Sequence, residues 1–381
     1  MAFLSSTEKP NSLLRYHRIL SPTCAVKVSP LCLGSMNFGE AWKAQMGECN
    51  KETSFSILDH FYEMGGNFID TANVYMTGES EQWLGEWMQL RGVRDQMVIA
   101  TKYTSTTKYM ALEPPGIYSN YGGESKKSLR ISLEKSLKSL QTEYVDILYV
   151  HAWEGLASIP EIMRALDDVV RAGKVLYLGI SNWPAWLVVK ANDYARQHGL
   201  TPFVVYEGRW NPANREIERD VLPMCKAEGM AITVWSSLGS GKFRVTTEEG
   251  ARPWGGSLGQ APVEVYQKFG VAMEKIGKTK GSDATAVALR YCMLKAPYVF
   301  PIVGGRKLEH LQKNIEALAI NLSEEEIKEI EAAVPFDFGY PHSFLSGDPY
   351  KNISSEDPTC FIRTYGYFDG VQEPKAIHSH E

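Results

Sequence analysis

SKKSLRISLEKSLKSLQTEYVDILYVH, residues 125–151, is the stretch whose reading decides the fold. Within it Leu129, Leu133, Leu137 and Leu140 recur at spacings of 4, 4 and 3, one face of a 3.6-residue period. A short β-rich run, Val145 to Val150, follows and ends on His151. The same alternation extends in both directions. Apolar runs at Leu31 to Leu33, Asn67 to Ile69, Met97 to Ala100, Val145 to Val150, Val175 to Ile180, Phe203 to Tyr206, Ala231 to Trp235 and Tyr298 to Val303 make eight. Helical patterns lie between them, as at Thr53 to Met64, Ser125 to Leu140, Ile159 to Ala172 and Leu308 to Leu318. Alternating strands and helices call for parallel pairing through right-handed crossovers. Eight such units predict an α/β fold closed into a single (β/α)8 TIM barrel rather than an open doubly wound sheet.

The barrel is expected over residues 1–335, with residues 16–30 as a hairpin capping one end. Residues 103–124 and 243–263 are weakly periodic and rich in Gly, Pro, Tyr and Trp, and are expected as rim loops that shape a pocket. The C-terminal tail, residues 336–381, carries Phe336, Phe338, Tyr340, Phe344, Tyr350, Phe361, Tyr365, Tyr367 and Phe368. So many aromatics are costly to leave in water, which predicts that the tail packs on the barrel.

The composition narrows the class of function. The 381 residues are 44% hydrophobic and 22% charged, as in ordinary globular proteins. Forty Lys+Arg against forty-five Asp+Glu leave −5, so no basic excess draws nucleic acid. No apolar run approaches 18 residues, and no membrane span is expected. Met1 to Tyr16 lacks an apolar core, so no secretory signal is expected and the sequons at Asn321 and Asn352 carry no weight. The six cysteines form no CxxC pair, which predicts free thiols in a reducing, cytoplasmic setting. His378 and His380 have a metal-like spacing but supply only two ligands, so no metal site is expected.

In a TIM barrel the chemistry sits where strands reach the C-terminal rim. The residues following the runs are Gly34-Ser35-Met36, Asp70 to Tyr75, Thr101-Lys102, His151, Ser181-Asn182, Glu207, Trp235-Ser236-Ser237 and Gly304 to Lys307. An Asp, a Tyr, a Lys and a His thus converge on one mouth. Hydride reduction of a carbonyl leaves an alkoxide, which needs a proton donor in a positive environment. A phenol of ordinary pKa about 10 donates poorly unless a cation stabilises its phenolate. Tyr75 is the expected acid, Lys102 the cation, Asp70 its anchor, and His151 the group that orients the carbonyl. Trp153, Trp183 and Trp210 follow strands four to six and are expected as flat walls for an aromatic substrate. Tyr62, Tyr103 and Tyr149 are assigned to packing and His60 to a surface. Gly277-Lys278-Thr279 mimics the end of a phosphate loop, but Ala272 stands where its first glycine belongs.

Gly65-Gly66-Asn67-Phe68-Ile69-Asp70-Thr71-Ala72-Asn73-Val74-Tyr75 resembles the GxxxxDTAxxY signature of the aldo-keto reductases. Lys102, His151 after Asp146 to Val150, and Gly179-Ile180-Ser181-Asn182 match the family's other motifs in order and spacing. The resemblance runs from about residue 16 to 335. In Gly173 to Gly179, Val205 to Gly208 and Phe300 to Lys307 the chain is similar to the fungal aryl-alcohol dehydrogenase and norsolorinic acid reductase group. It implies an NADPH-dependent carbonyl reductase, reversible toward alcohol oxidation and placed in secondary metabolism, with Asp70, Tyr75, Lys102 and His151 catalytic. For the cofactor it implies Ser35, Met36, Asp70, Ser181, Asn182, Glu207 and Trp235, then Ser236, Ser237, Leu238, Gly239, Ser240 and Lys242. After the last strand it adds Gly304, Arg306, Lys307, His310 and Asn314. Glu207 stands where most of the family has glutamine, and the aryl-alcohol group shares that glutamate. The resemblance also reaches non-catalytic relatives such as potassium-channel β subunits, so a cofactor-binding interaction protein is the alternative. Metal-assisted hydrolysis is disfavoured because no HxH follows the first strand.

Overall fold

The computed structural model describes residues 8–106, 116–244, 261–345 and 375–378. A hairpin of β1 (Arg18–Ser21) and β2 (Cys24–Val28) precedes eight parallel strands: β3 (Cys32–Gly34), β4 (Phe68–Asp70), β5 (Val98–Tyr103), β6 (Val145–Val150), β7 (Val175–Ser181), β8 (Phe203–Arg209), β9 (Ala231–Trp235) and β10 (Val299–Val303). They close into a barrel in which β10 pairs with both β9 and β3. The expected TIM barrel and its hairpin cap are therefore present.

Local chemistry starts and stops the helices around it. Asn50, Ser125, Ser158 and Ser323 accept hydrogen bonds from backbone N–H groups three residues on, capping the helices Lys51–Glu63, Lys126–Ser139, Ile159–Arg171 and Glu324–Ala332. Gly92 and Gly229, at φ of 62° and 66°, end Glu79–Arg91 and Val221–Glu228. On Lys126–Ser139 the face carrying Leu129, Leu133 and Leu137 is buried, as its period requires.

Two cores result. Inside the barrel, Cys32, Phe68, Val98, Ile147, Tyr149 and Phe300 pack with Leu20, Cys24 and Val28 of the hairpin, which plugs the N-terminal end. A larger core lies between strands and helices. Strands β5 and β8 run three residues beyond their apolar runs, to Tyr103 and Arg209. The parallel ladder continues there because its hydrogen bonds are backbone groups, indifferent to Lys102 and Glu207 turning inward; Lys102 pairs with Tyr149, and Glu207 with Ser181 and Thr233.

Part of the tail rests on the outer layer. The Arg219 guanidinium lies 4.8 Å from the Phe336 ring centre and donates to the Asp337 carbonyl at 2.9 Å. Of the other tail aromatics, Tyr340 and Phe344 are exposed, while Tyr350, Phe361, Tyr365, Tyr367 and Phe368 lie outside the described residues. A pocket of about 560 Å³ opens at the N-terminal end, between Pro22, Met230, Tyr298 and the tail residues Lys375 and His378. No helix among the described residues is long and apolar enough to cross a membrane.

Candidate active site

Four strand ends bring the reactive groups together. Lys102 is fully buried and donates to Asp70 Oδ1, to the Thr71 carbonyl at 2.9 Å and to the Tyr75 hydroxyl at 3.3 Å. Its ammonium also lies 3.4 Å from Glu207 Oε1. The Tyr75 and His151 rings meet edge to face, 6.0 Å between centres. Burial opposes the Lys102 charge, yet the carboxylates of Asp70 and Glu207 hold it well above the usual lysine range. Burial pushes the Tyr75 phenol up; Lys102 pulls it down, but less. Burial and then the Lys102 charge push His151 down to about 3, so its ring stays neutral. A neutral imidazole can donate one hydrogen bond to a carbonyl while adding no charge.

Tyr75 is carried by a strained turn. Met76, Thr77 and Gly78 follow it at φ of 48°, 57° and 102°. The next three residues open the helix Glu79–Arg91 and pin it to three different strand ends. Glu79 accepts from the N–H groups of Glu40 and Ala41, Ser80 bonds to Ser35 and Thr71, and Thr101 donates to Glu81 at 2.6 Å. Burial pushes the Glu81 carboxyl up to about 7. Sequence reasoning missed this clip. The signal was there: Ser80 and Glu81 share the buried helix face with Leu84, Trp87 and Met88. It also missed Arg209, which shares the inward parity of Glu207 and lies 5.7 Å from the Trp235 ring centre.

Six of the eight non-glycine residues with left-handed φ among the described residues follow barrel strands at this rim: Met76, Thr77, Thr104, Asn182, Ser236 and Ser240. Such strain persists where the surroundings over-determine it. Asn182 donates to the His151 carbonyl at 3.1 Å and to Ser181 Oγ at 2.9 Å, which joins two strand ends.

The residues expected to hold a cofactor form one arc of the mouth. Trp235 is half-buried at the end of β9, and Ser236, Ser237, Leu238, Gly239, Ser240 and Lys242 continue from it. Gly304, Arg306 and Lys307 follow β10, with His310 and Asn314 on the helix Leu308–Glu316. Arg306 is half-buried against a tight turn at Gly47 (φ +80°), where a Cβ would fall 1.9 Å from its Nη1. Along this arc Glu207 Oε2, Ser236 Oγ, Ser237 Oγ and Arg306 Nε are buried with no hydrogen-bond partner. Buried polar atoms are ordinarily paired. A ligand carrying an amide and phosphates would supply partners of the right kind, so the residues fit a nicotinamide dinucleotide. Ser35 and Met36 lie at the end of β3, but the Ser35 hydroxyl is bonded to Ser80 at 2.7 Å.

The tryptophan expectation needs correction. Trp183 and Trp210 are 2% and 0% exposed and belong to the core between strands and helices, outside the barrel mouth. Trp183 packs edge to face on Phe203; Trp210 donates to Glu218 at 2.9 Å and meets Tyr291. Each indole buries more apolar area against the helical layer than the polar rim offers, which decides its direction. Trp153 alone of the three keeps exposed surface, 48%. Tyr149 bonds Thr233 at 3.0 Å and Tyr62 bonds Gln96 at 2.8 Å, as packing residues do. Among the described residues no three His, Cys, Asp or Glu side chains gather as a metal cluster.

A family model described as the Aldo/keto reductase family matches residues 30–335. The chain is 54% identical over 372 residues to norsolorinic acid reductase B of Dothistroma septosporum, spanning 95% of this chain and 94% of that protein. It is 48% identical over 384 residues to an aryl-alcohol dehydrogenase of Pestalotiopsis microspora, covering 100% and 97%. An aldo-keto reductase of Aspergillus calidoustus is 48% identical over 376 residues, covering 95% and 94%. The chain belongs to the aldo-keto reductase family, oxidoreductases of carbonyl and alcohol groups that use nicotinamide cofactors.

Proposed function

We propose that this chain reduces an aldehyde or ketone, aromatic by preference, with NADPH, and runs the reverse alcohol oxidation. The observation that carries the reading is Lys102, fully buried, anchored by Asp70 and donating to the Tyr75 hydroxyl at 3.3 Å. When bound, the nicotinamide supplies the hydride. Tyr75 gives its proton to the carbonyl oxygen, and the Lys102 ammonium stabilises the phenolate left behind. Asp70 holds the ammonium in place; His151, neutral, orients the carbonyl by hydrogen bonding to its oxygen. Ser181, Asn182 and Glu207 would hold the carboxamide, and Trp235 would offer its ring to the nicotinamide. Arg306 and Lys307, at the start of the helix Leu308–Glu316, would hold the 2′-phosphate. The norsolorinic acid reductases among the relatives support a role in secondary metabolism. The free, buried thiols Cys24, Cys32, Cys49, Cys225 and Cys292 suit a reducing cytoplasm.

A panel of aromatic and aliphatic aldehydes and ketones, read by loss of NADPH absorbance, tests the reading. Turnover of an aryl aldehyde is the expected result. Cofactor binding without turnover of any carbonyl would overturn it in favour of an interaction protein.

A further inference from the structure

One buried acid at the centre of the site has no part in the proton transfer above. Glu207 faces the barrel interior from β8, its Oε1 3.4 Å from Lys102 Nζ and its Oε2 without an N–H or O–H donor; when protonated, its carboxyl hydrogen-bonds to Asp70. An ammonium carries three N–H groups. Lys102 faces four acceptors: Asp70 Oδ1, the Thr71 carbonyl at 2.9 Å, Tyr75 Oη at 3.3 Å and Glu207 Oε1 at 3.4 Å. Asp70 and Thr71 hold the two shortest contacts, so Tyr75 and Glu207 compete for the third hydrogen.

We propose that Glu207 tunes Tyr75 through this competition. Ionised, Glu207 draws the third N–H of Lys102 and keeps Tyr75 a phenol; protonated, it yields that N–H to a Tyr75 phenolate. The proposal rests on the reductase reading above, in which Tyr75 is the proton donor.

The neighbours fix the sign. Facing the cluster are Cys32 from β3, Asp70 from β4, Tyr149 from β6, Tyr75 and His151 from the loops, and the uncharged Thr233 from β9. Burial pushes the Cys32 thiol and the Tyr149 phenol well up, and His151 is neutral. Lys102 is thus the cation, and Asp70 and Glu207 the carboxyls that answer it. Burial, followed by the Asp70 charge, pushes Glu207 up to about 8. Glu207 therefore holds a proton through neutrality and releases it before Tyr75 titrates. The second negative charge arrives as the phenol would begin to ionise, and it delays that ionisation. Reduction, which consumes the phenol proton, extends into alkali. Alcohol oxidation, which needs the phenolate, starts later.

Glu207→Gln removes the charge while keeping shape. Profiles of kcat for benzaldehyde reduction and benzyl alcohol oxidation across pH 5 to 10.5 form the first arm. Charges within about 4–6 Å move pKa values by about 1–3 units, so Tyr75 is expected to titrate about one unit or more lower in the variant. Below that limb the phenolate population, and with it benzyl alcohol oxidation above pH 8, would rise by about tenfold or more relative to wild type. An unchanged oxidation rate between pH 8 and 10.5 overturns the proposal. The second arm uses cofactor-free protein and urea unfolding from pH 5 to 8. A carboxyl raised in the folded state keeps a proton that the unfolded chain has lost, so wild-type stability falls as pH rises through this window. The variant should fall less steeply, keeping only the share owed to Glu81 and the other raised carboxyls. A wild type that falls no more steeply than the variant overturns the proposal. Absence of turnover in both proteins, with the steeper fall in wild type, supports the Glu207 proton and overturns the reductase reading.

Discussion

Glu218 and Glu207 are carboxylates buried in the same barrel, and their surroundings treat them in opposite ways. Glu218 sits between strands and helices, where it accepts from Trp210 Nε1 at 2.9 Å and from Arg215 Nε and Nη2 at 2.9 and 2.7 Å, with Lys295 at 3.2 Å. Burial alone would raise its pKa, but Arg215 and Lys295 outweigh burial and hold it below the usual range. Glu207 meets one ammonium at 3.4 Å that it shares with Asp70 and Tyr75, keeps one oxygen without an N–H or O–H donor, and is pushed up to about 8 by burial and Asp70. A satisfied buried network stabilises and specifies a fold, whereas a half-satisfied one costs free energy. The first cluster is what the barrel needs to stand; the second is kept at a cost, which marks it as the place of chemistry.

The largest break in this comparison comes from Tyr75→Phe. It deletes the proton donor and keeps the ring, so the fold and cofactor affinity should persist. General acid catalysis contributes about 10²–10⁴-fold, and kcat should fall by that much. A variant within threefold of wild-type turnover would remove Tyr75 from its role.

Next comes the satisfied cluster. Glu218→Gln leaves Arg215 and Lys295 only the partly exposed Glu331 carboxylate as a full opposite charge, and breaking a buried ion pair costs up to about 3–5 kcal/mol. Urea unfolding at neutral pH should show that loss, with kcat per folded molecule within twofold. Because the folded pKa of Glu218 is lowered, its contribution is present above the unfolded pKa and disappears as pH falls. Wild type should therefore lose stability toward acid more steeply than the variant. A variant as stable as wild type would show that satisfied and frustrated clusters cannot be told apart by their hydrogen bonds.

Which parts of this contrast were legible beforehand follows from what a period can report. Leu129, Leu133 and Leu137 announce a buried helix face because the same spacing serves helix and core. Asp70, Tyr75, Lys102 and His151 were legible because each follows an apolar run and the barrel levels those ends. The directions of Trp183 and Trp210 were not. A tryptophan at a strand end can turn inward to the mouth or outward to the helices, and only Phe203 and Glu218, distant in sequence, decide it. The Glu81 to Thr101 bond was hidden likewise, since a polar residue on an apolar helix face does not name its partner.

Arg306 tests whether an orphaned atom at the rim marks a ligand. Its buried Nε lacks a partner. Arg306→Ala should weaken NADPH by about 10–150-fold, from the roughly 1.5–3 kcal/mol of a hydrogen bond to a charged group, while NADH changes little. Equal loss for both, measured by fluorescence titration, would make Arg306 a structural or pyrophosphate residue.

The smallest effect separates the tryptophans. Trp153 is 48% exposed beyond the end of β6, whereas Trp210 is fully buried with its indole N–H bonded to Glu218. If exposed aromatic surface at the mouth serves substrate, Trp153→Ala should cost only what a substrate ring gains from it. Aromatic pairs contribute about 0.5–1.5 kcal/mol beyond area burial, which is roughly 2–13-fold in kcat/KM. The loss should fall on benzaldehyde-type substrates and spare propanal-type ones, because a short aliphatic chain has no ring to stack. Stability should move far less than for Trp210, since about half of the Trp153 surface already stays in water. Trp210→Ala should do the reverse, lowering stability by about 3–5 kcal/mol through the cavity it leaves, with no change in the aryl to aliphatic ratio of the folded protein. Equal losses on both substrate types in Trp153→Ala would place the aromatic wall elsewhere on the rim.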